Sequence, residues 1–92
     1  MRKIVINNCY GGFGLSQAGI DRYLELGGIL PEYIQDINRD CPTLVQVVEE
    51  LGSQANDRHS ILKIVEIPDD VKWIVEEYDG KEWVAEEHRK WW

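Results

Sequence analysis

The residues best placed for chemistry sit near the start of the chain, where Cys9 precedes a run of three glycines, Gly11, Gly12 and Gly14, and then Ser16. Backbone N–H groups freed in such a loop, and aimed from the positive end of a helix that Ser16 would open, can hold a phosphate or carboxylate. Gly11, Gly12, Gly14 and Ser16 are therefore one candidate site, for a small anionic ligand or a nucleotide. The spacing G-G-x-G is neither the dinucleotide fingerprint nor the Walker loop, since no Gly-Lys-Ser/Thr follows and no acid stands where a ribose would need one. The bases near it in sequence are Arg2, Lys3 and Arg22. The same glycines also have a conformational reading, in which they turn the chain sharply from strand to helix with at least one at positive φ, while Tyr10 and Phe13 plug the core.

Cys9 is also a candidate nucleophile, its thiolate favoured by the helix terminus and a base supplied by His59 or His88. A cysteine that only packs at a strand end has the same local sequence, so no catalytic residue is assigned. Cys9 and Cys41 form no C-x-x-C pair and have no histidine at ligand spacing, so neither a metal nor another cofactor is expected.

Acidic doublets recur at Glu49-Glu50, Asp69-Asp70, Glu76-Glu77 and Glu86-Glu87. Glu49 and Glu50 fall in the last turn of an expected helix, against its dipole. Asp79-Gly80 between two alternating segments predicts a two-residue hairpin turn. That turn sets Glu77 directly opposite Glu82, a like-charge pair, with Glu86 on the same face. Charges so placed either guard a sheet edge or meet a basic partner. Four tryptophans, Trp73, Trp83, Trp91 and Trp92, crowd the last twenty residues. Trp73 and Trp83 are expected to fill the space between sheet and helices, whereas Trp91 and Trp92 at the chain end are expected to be exposed and to join Glu77, Glu82 and Glu86 in a partner-binding surface.

These residues must be positioned by a small scaffold. Ninety-two residues make one domain, residues 1–92, whose modest core gains from a partner subunit, a second copy of the chain included. The formal charge is −7, carried mainly by residues 46–92, which hold twelve acids against six bases. Such a surface disfavours a nucleic-acid backbone and suits a basic partner. No apolar run approaches a membrane span, and the thiols read as those of a reducing cytoplasm.

Ile/Val-rich Arg2–Ile6 and Leu62–Ile67 predict strands. Ser16 caps a helix over Gln17–Leu26 with Ile20, Tyr23 and Leu24 as its buried stripe, and Gly27-Gly28 stops it. Pro42 opens a second helix that runs to Leu51 and ends at Gly52. The segment Gly28–Asp40 predicts only a turn or short helix. The expected class is α+β: a mostly antiparallel sheet of three to four strands, two helices on one face, and a C-terminal hairpin.

The decapeptide Asn7-Asn8-Cys9-Tyr10-Gly11-Gly12-Phe13-Gly14-Leu15-Ser16, together with Leu62–Val71, Glu76–Gly80, Trp83–Glu86 and His88-Arg89, resembles a family of short phage and prophage proteins. The resemblance implies a viral or prophage origin and action in the bacterial cytoplasm. Cys41 departs from the family pattern, which is more often acidic there, so no shared role for it is implied. The leading reading is an accessory protein that binds a host protein stoichiometrically and so inhibits, for instance, a nucleic-acid-binding factor. A ligand binder using the glycine loop is the alternative, and a cysteine enzyme the third. If the facing glutamates only repel each other within the fold, Glu77→Gln with Glu82→Gln should leave the thermal midpoint equal or raised.

Overall fold

The computed structural model describes residues 1–86 and is of the α+β class. In chain order the elements are strand β1 (Arg2–Asn7), helix α1 (Gln17–Glu25), a short 3-10 turn (Ile34–Asp36) and helix α2 (Pro42–Leu51). A second 3-10 turn (Gly52–Ala55) and strands β2 (Leu62–Ile67), β3 (Trp73–Tyr78) and β4 (Lys81–Glu86) complete it.

Local signals account for the boundaries. Ser16 caps α1 by accepting from the Gly19 N–H at 3.1 Å, and its hydroxyl donates to the Gln54 carbonyl at 2.6 Å. Gly27, at φ +90°, provides the left-handed exit. Pro42 occupies the first turn of α2, and Gly52 at φ +56° ends it. The stripe of α1 differs from the periodic expectation, because Leu24 is exposed while Gly19 and Tyr23 are buried. Gly19 is the reason: a Cβ there would lie only 3.3 Å from Leu15 and 3.5 Å from the Ala55 carbonyl, so this turn approaches its neighbours closely. Burial is also the main cause that pushes the Tyr23 phenol above its ordinary pKa, with the adjacent Cys41 contributing next.

The core joins Val5 and Leu15 to Tyr23, Ile37 and the Leu44, Val45, Val47 and Val48 face of α2. Helix α2 packs on β1 and β2, and α1 packs mainly on α2 and the second 3-10 turn, so the helices form successive layers instead of sharing one sheet face. Two ion pairs tie these layers. Lys3 meets Glu49 at 2.6 Å, and Arg22 meets Glu50 at 3.0 Å. The hydrogen bond from Arg22, then that from Gln46, holds the Glu50 carboxyl below its usual range. The acids at the end of α2 are thus engaged within the fold.

The sheet also differs from expectation. Instead of three or four continuous strands there are two antiparallel ribbons, β1 with β2 from Arg2↔Ile67 to Asn7↔Leu62, and β3 with β4 from Trp73↔Glu86 to Tyr78↔Lys81. Strand β4 lies beside β1 without forming a ladder. Two acceptors explain this. The Val5 N–H donates to the Arg39 carbonyl at 2.8 Å, and the Asn7 N–H to the Glu82 carboxylate at 2.9 Å. Both amides lie on the edge of β1 that a neighbouring strand would need.

Asn7, one residue beyond the strand expected over Arg2–Ile6, joins the two ribbons. It is wholly buried, and its amide nitrogen donates to the Cys9 carbonyl at 2.8 Å and the Gly80 carbonyl at 2.7 Å. Its carbonyl oxygen accepts from the Ile61 N–H at 2.9 Å and the Cys9 thiol at 3.3 Å. The full donor and acceptor capacity of the amide is therefore used. Asn7→Ala would strand these groups and should lower stability by about 3 kcal/mol or more, since each orphaned buried group costs roughly 1–3 kcal/mol. Chemical denaturation measures this, and a loss below ~1 kcal/mol would contradict the clamp.

Candidate functional site

The glycine loop is shaped by what packs against it. Gly12 has φ +97°, as the conformational reading requires, with open space where a side chain would stand. A Cβ on Gly11 would strike the His59 backbone, and one on Gly14 the Asp57 carboxylate. Ser60, buried, donates to the Gly14 carbonyl at 3.0 Å and accepts from the Asp57 N–H at 3.0 Å. The loop is therefore surrounded by carbonyls and a carboxylate, which repel an anion, and the Ser16 hydroxyl is committed to capping α1. Phe13 is half-buried against the core, but Tyr10, expected to plug it, is exposed.

Cys9 is half-buried, and its thiol donates to the His59 carbonyl at 3.0 Å as well as to Asn7. His59 thus meets Cys9 through its backbone oxygen. Both partners are neutral carbonyl-type acceptors, and neither is a base that could activate the thiol. His88 lies outside the described residues, and among those described no cluster of three or more His, Cys, Asp or Glu could hold a metal.

The hairpin turn forms as its sequence predicts, with Asp79 at φ +56° and Gly80 at φ +92°. Gly80 faces the glycine loop so closely that a Cβ would lie 2.6 Å from both the Tyr10 carbonyl and the Gly12 nitrogen. Glu77 does lie opposite Glu82, but the two carboxylates part company. Glu82 turns inward to Arg39, the side chains being 7% and 10% exposed, and the Arg39 guanidinium also stacks on Phe13 at 3.7 Å and donates to the Gln35 carbonyl at 3.2 Å. Glu77 stays outside and accepts from the Gly80 N–H at 2.8 Å. Both glutamates line a cleft of about 340 Å³, together with Gly12, Phe13, Gln35, Arg39 and Gly80. The acidic surface expected from Glu77, Glu82 and Glu86 is thereby corrected. Glu82 is a buried structural partner, leaving only Glu77 and Glu86 exposed on that side.

The opposite face of the hairpin carries what the acidic reading missed. Ile74, Tyr78 and Trp83 point away from the core at 46%, 69% and 42% exposure, with Glu76 opposite Trp83 and Lys81 opposite Tyr78. Lys81 lies over the exposed ring of Tyr10 at 5.6 Å, which continues the aromatic surface onto the glycine loop. Trp83, expected to fill the core with Trp73, is on this outer face, while Trp73 is half-buried on the inner one. The alternation of the strands could have exposed this division, had it been known which face the core covers. Trp91 and Trp92 lie outside the described residues.

Neutralising Glu82 does not simply relieve repulsion from Glu77, because its carboxylate balances Arg39. Glu82→Gln leaves Arg39 buried without its counter-charge and should cost about 2 kcal/mol or more, whereas exposed Glu77→Gln should stay within ~0.5 kcal/mol. Denaturation of the two single variants checks this, and a Glu82→Gln protein as stable as wild type would refute the inward ion pair.

Comparison with protein-family models, with curated proteins and with solved structures yielded no match.

Proposed function

We propose that this chain is a binding protein that captures a basic partner protein stoichiometrically through the outward face of its hairpin. The observation that carries this reading is the exposure of Ile74, Tyr78 and Trp83 on one side of a ribbon whose other side is half-buried at Trp73, Val75 and Val84 and buried at Glu82. Exposed aromatic and branched side chains grouped on a rigid strand pair form the apolar centre of an interface, and tryptophan and tyrosine are frequent anchors there. Charge selects the partner. Glu76 stands within that centre and Asp79 at the adjoining turn, and Glu77 and Glu86 are exposed on the other face, in a chain of net charge −7. Glu82 no longer belongs to this set because Arg39 neutralises it.

The resemblance to short phage and prophage proteins supports a host protein as the partner and the bacterial cytoplasm as the place of action. A nucleic-acid-binding factor, whose basic groove the acidic surface would occupy, fits the same charge. No helix among the described residues is long and apolar enough to cross a membrane.

The test is capture from bacterial lysate by wild type, by Ile74→Ser with Trp83→Ser, and by Glu86→Gln, each at low and high salt, with melts as the folding control. The double variant should keep its melting temperature and weaken association at least tenfold, consistent with hot spots of about 2 kcal/mol. Glu86→Gln should mainly flatten the salt dependence, because a charge outside the contact acts through long-range steering. Unchanged capture by the folded double variant would overturn the reading.

A further inference from the structure

The hairpin has an edge as well as a face. Strand β4 lies against β1, while β3 forms backbone hydrogen bonds only with β4 among the described residues. Because Tyr78 and Lys81 close a two-residue turn as a hydrogen-bonded pair, the amides of Ile74, Glu76 and Tyr78 point to β4, and those of Trp73, Val75 and Glu77 point out from the free edge. Unpaired edges normally carry charged side chains, lysine above all, or proline or a bulge as protection. Strand β2 carries Lys63 and is followed by Pro68, but β3 has neither residue within it, and its pairing with β4 runs through six uninterrupted positions.

What β3 does carry is selective. Its outer face alternates Ile74, Glu76 and Tyr78, and its inner face ends in Glu77, so acids alternate with apolar residues and no cation stands on the strand itself. A neighbouring strand placed here would need apolar residues beside Ile74, Val75 and Tyr78 and cations beside Glu76 and Glu77. Another acidic strand would meet repulsion there.

We propose that the partner adds an extended, lysine- or arginine-bearing segment to the free edge of β3, converting the hairpin into a three-stranded sheet. This rests on the binding reading above and specifies how the contact is made: main-chain hydrogen bonds from Trp73, Val75 and Glu77 supply the pairing, and alternate side chains supply the selection. The outward face then continues across the added strand.

The test uses a capped synthetic peptide, Val-Lys-Lys-Val-Ile-Thr, whose antiparallel register sets its lysines beside Glu77 and Glu76 and its apolar residues beside Tyr78, Val75 and Ile74. Residue-resolved amide exchange is measured for the full chain with and without saturating peptide, and with a control peptide in which both lysines are glutamate. The lysine peptide should slow exchange at Trp73, Val75 and Glu77 by at least tenfold while leaving Ile74, Glu76 and Tyr78 little changed, and the glutamate peptide should not. Glu76→Lys, at an exposed site, should weaken the lysine peptide tenfold or more without shifting the melt. Equal protection by both peptides, or protection that rises with protein concentration alone, would overturn the proposal, the latter assigning the edge to a second copy. If partner capture depends on Ile74 and Trp83 but the lysine peptide leaves the three amides unprotected, strand addition fails while the binding reading stands. If the three amides are protected but capture ignores Ile74 and Trp83, the failure lies in the face reading.

Discussion

The arrangement of this small domain depends on one buried amide. Asn7 is completely withdrawn from solvent, yet its side chain bonds to Cys9 in the glycine loop, Ile61 at the entrance to β2 and Gly80 in the hairpin turn. Three segments distant in sequence thereby share one side chain. A buried amide is costly unless all its groups are matched, so the position is demanding as well as connecting. It fixes where the hairpin sits relative to the first ribbon, and with it the face that the hairpin shows to solvent.

The Arg39–Glu82 pair completes that orientation. A buried ion pair adds little net stability over a well-packed apolar pair, because desolvation offsets most of the attraction. Its effect here is directional. Glu82 accepts from both Arg39 and the Asn7 N–H, so β4 can present its buried face only toward β1 and the Arg39 segment. Residues one step out of phase, Trp83 and its cross-strand neighbours, must then face water. Exposure of the aromatic surface follows from burial of the acid.

The glycine loop belongs to the same assembly. Gly11 and Gly14 admit the 57–60 segment, Gly12 makes the turn and Gly80 admits the loop to the hairpin. A sequence pattern that suggests a ligand cradle is here a set of close backbone approaches. Both arrangements require residues without a Cβ, which is why residue type alone does not separate them.

Local signals determined the elements themselves. Ser16, Pro42, Gly52 and Asp79-Gly80 act within a few residues of where they stand, and apolar periodicity sets β1, α2 and β2, so these features and the register of Glu77 against Glu82 were legible in the chain. Tertiary structure decided the rest. Whether four strands make one sheet or two ribbons turned on a carbonyl and a carboxylate that take the edge amides of β1, the latter from a residue 75 positions away. Which glutamate is buried turned on an arginine 43 positions away, and whether Leu24 or Gly19 faces the core turned on how closely α1 approaches Leu15 and Ala55. Periodicity specifies that a strand has two faces and a helix a stripe; only the partners brought by folding specify which side is covered.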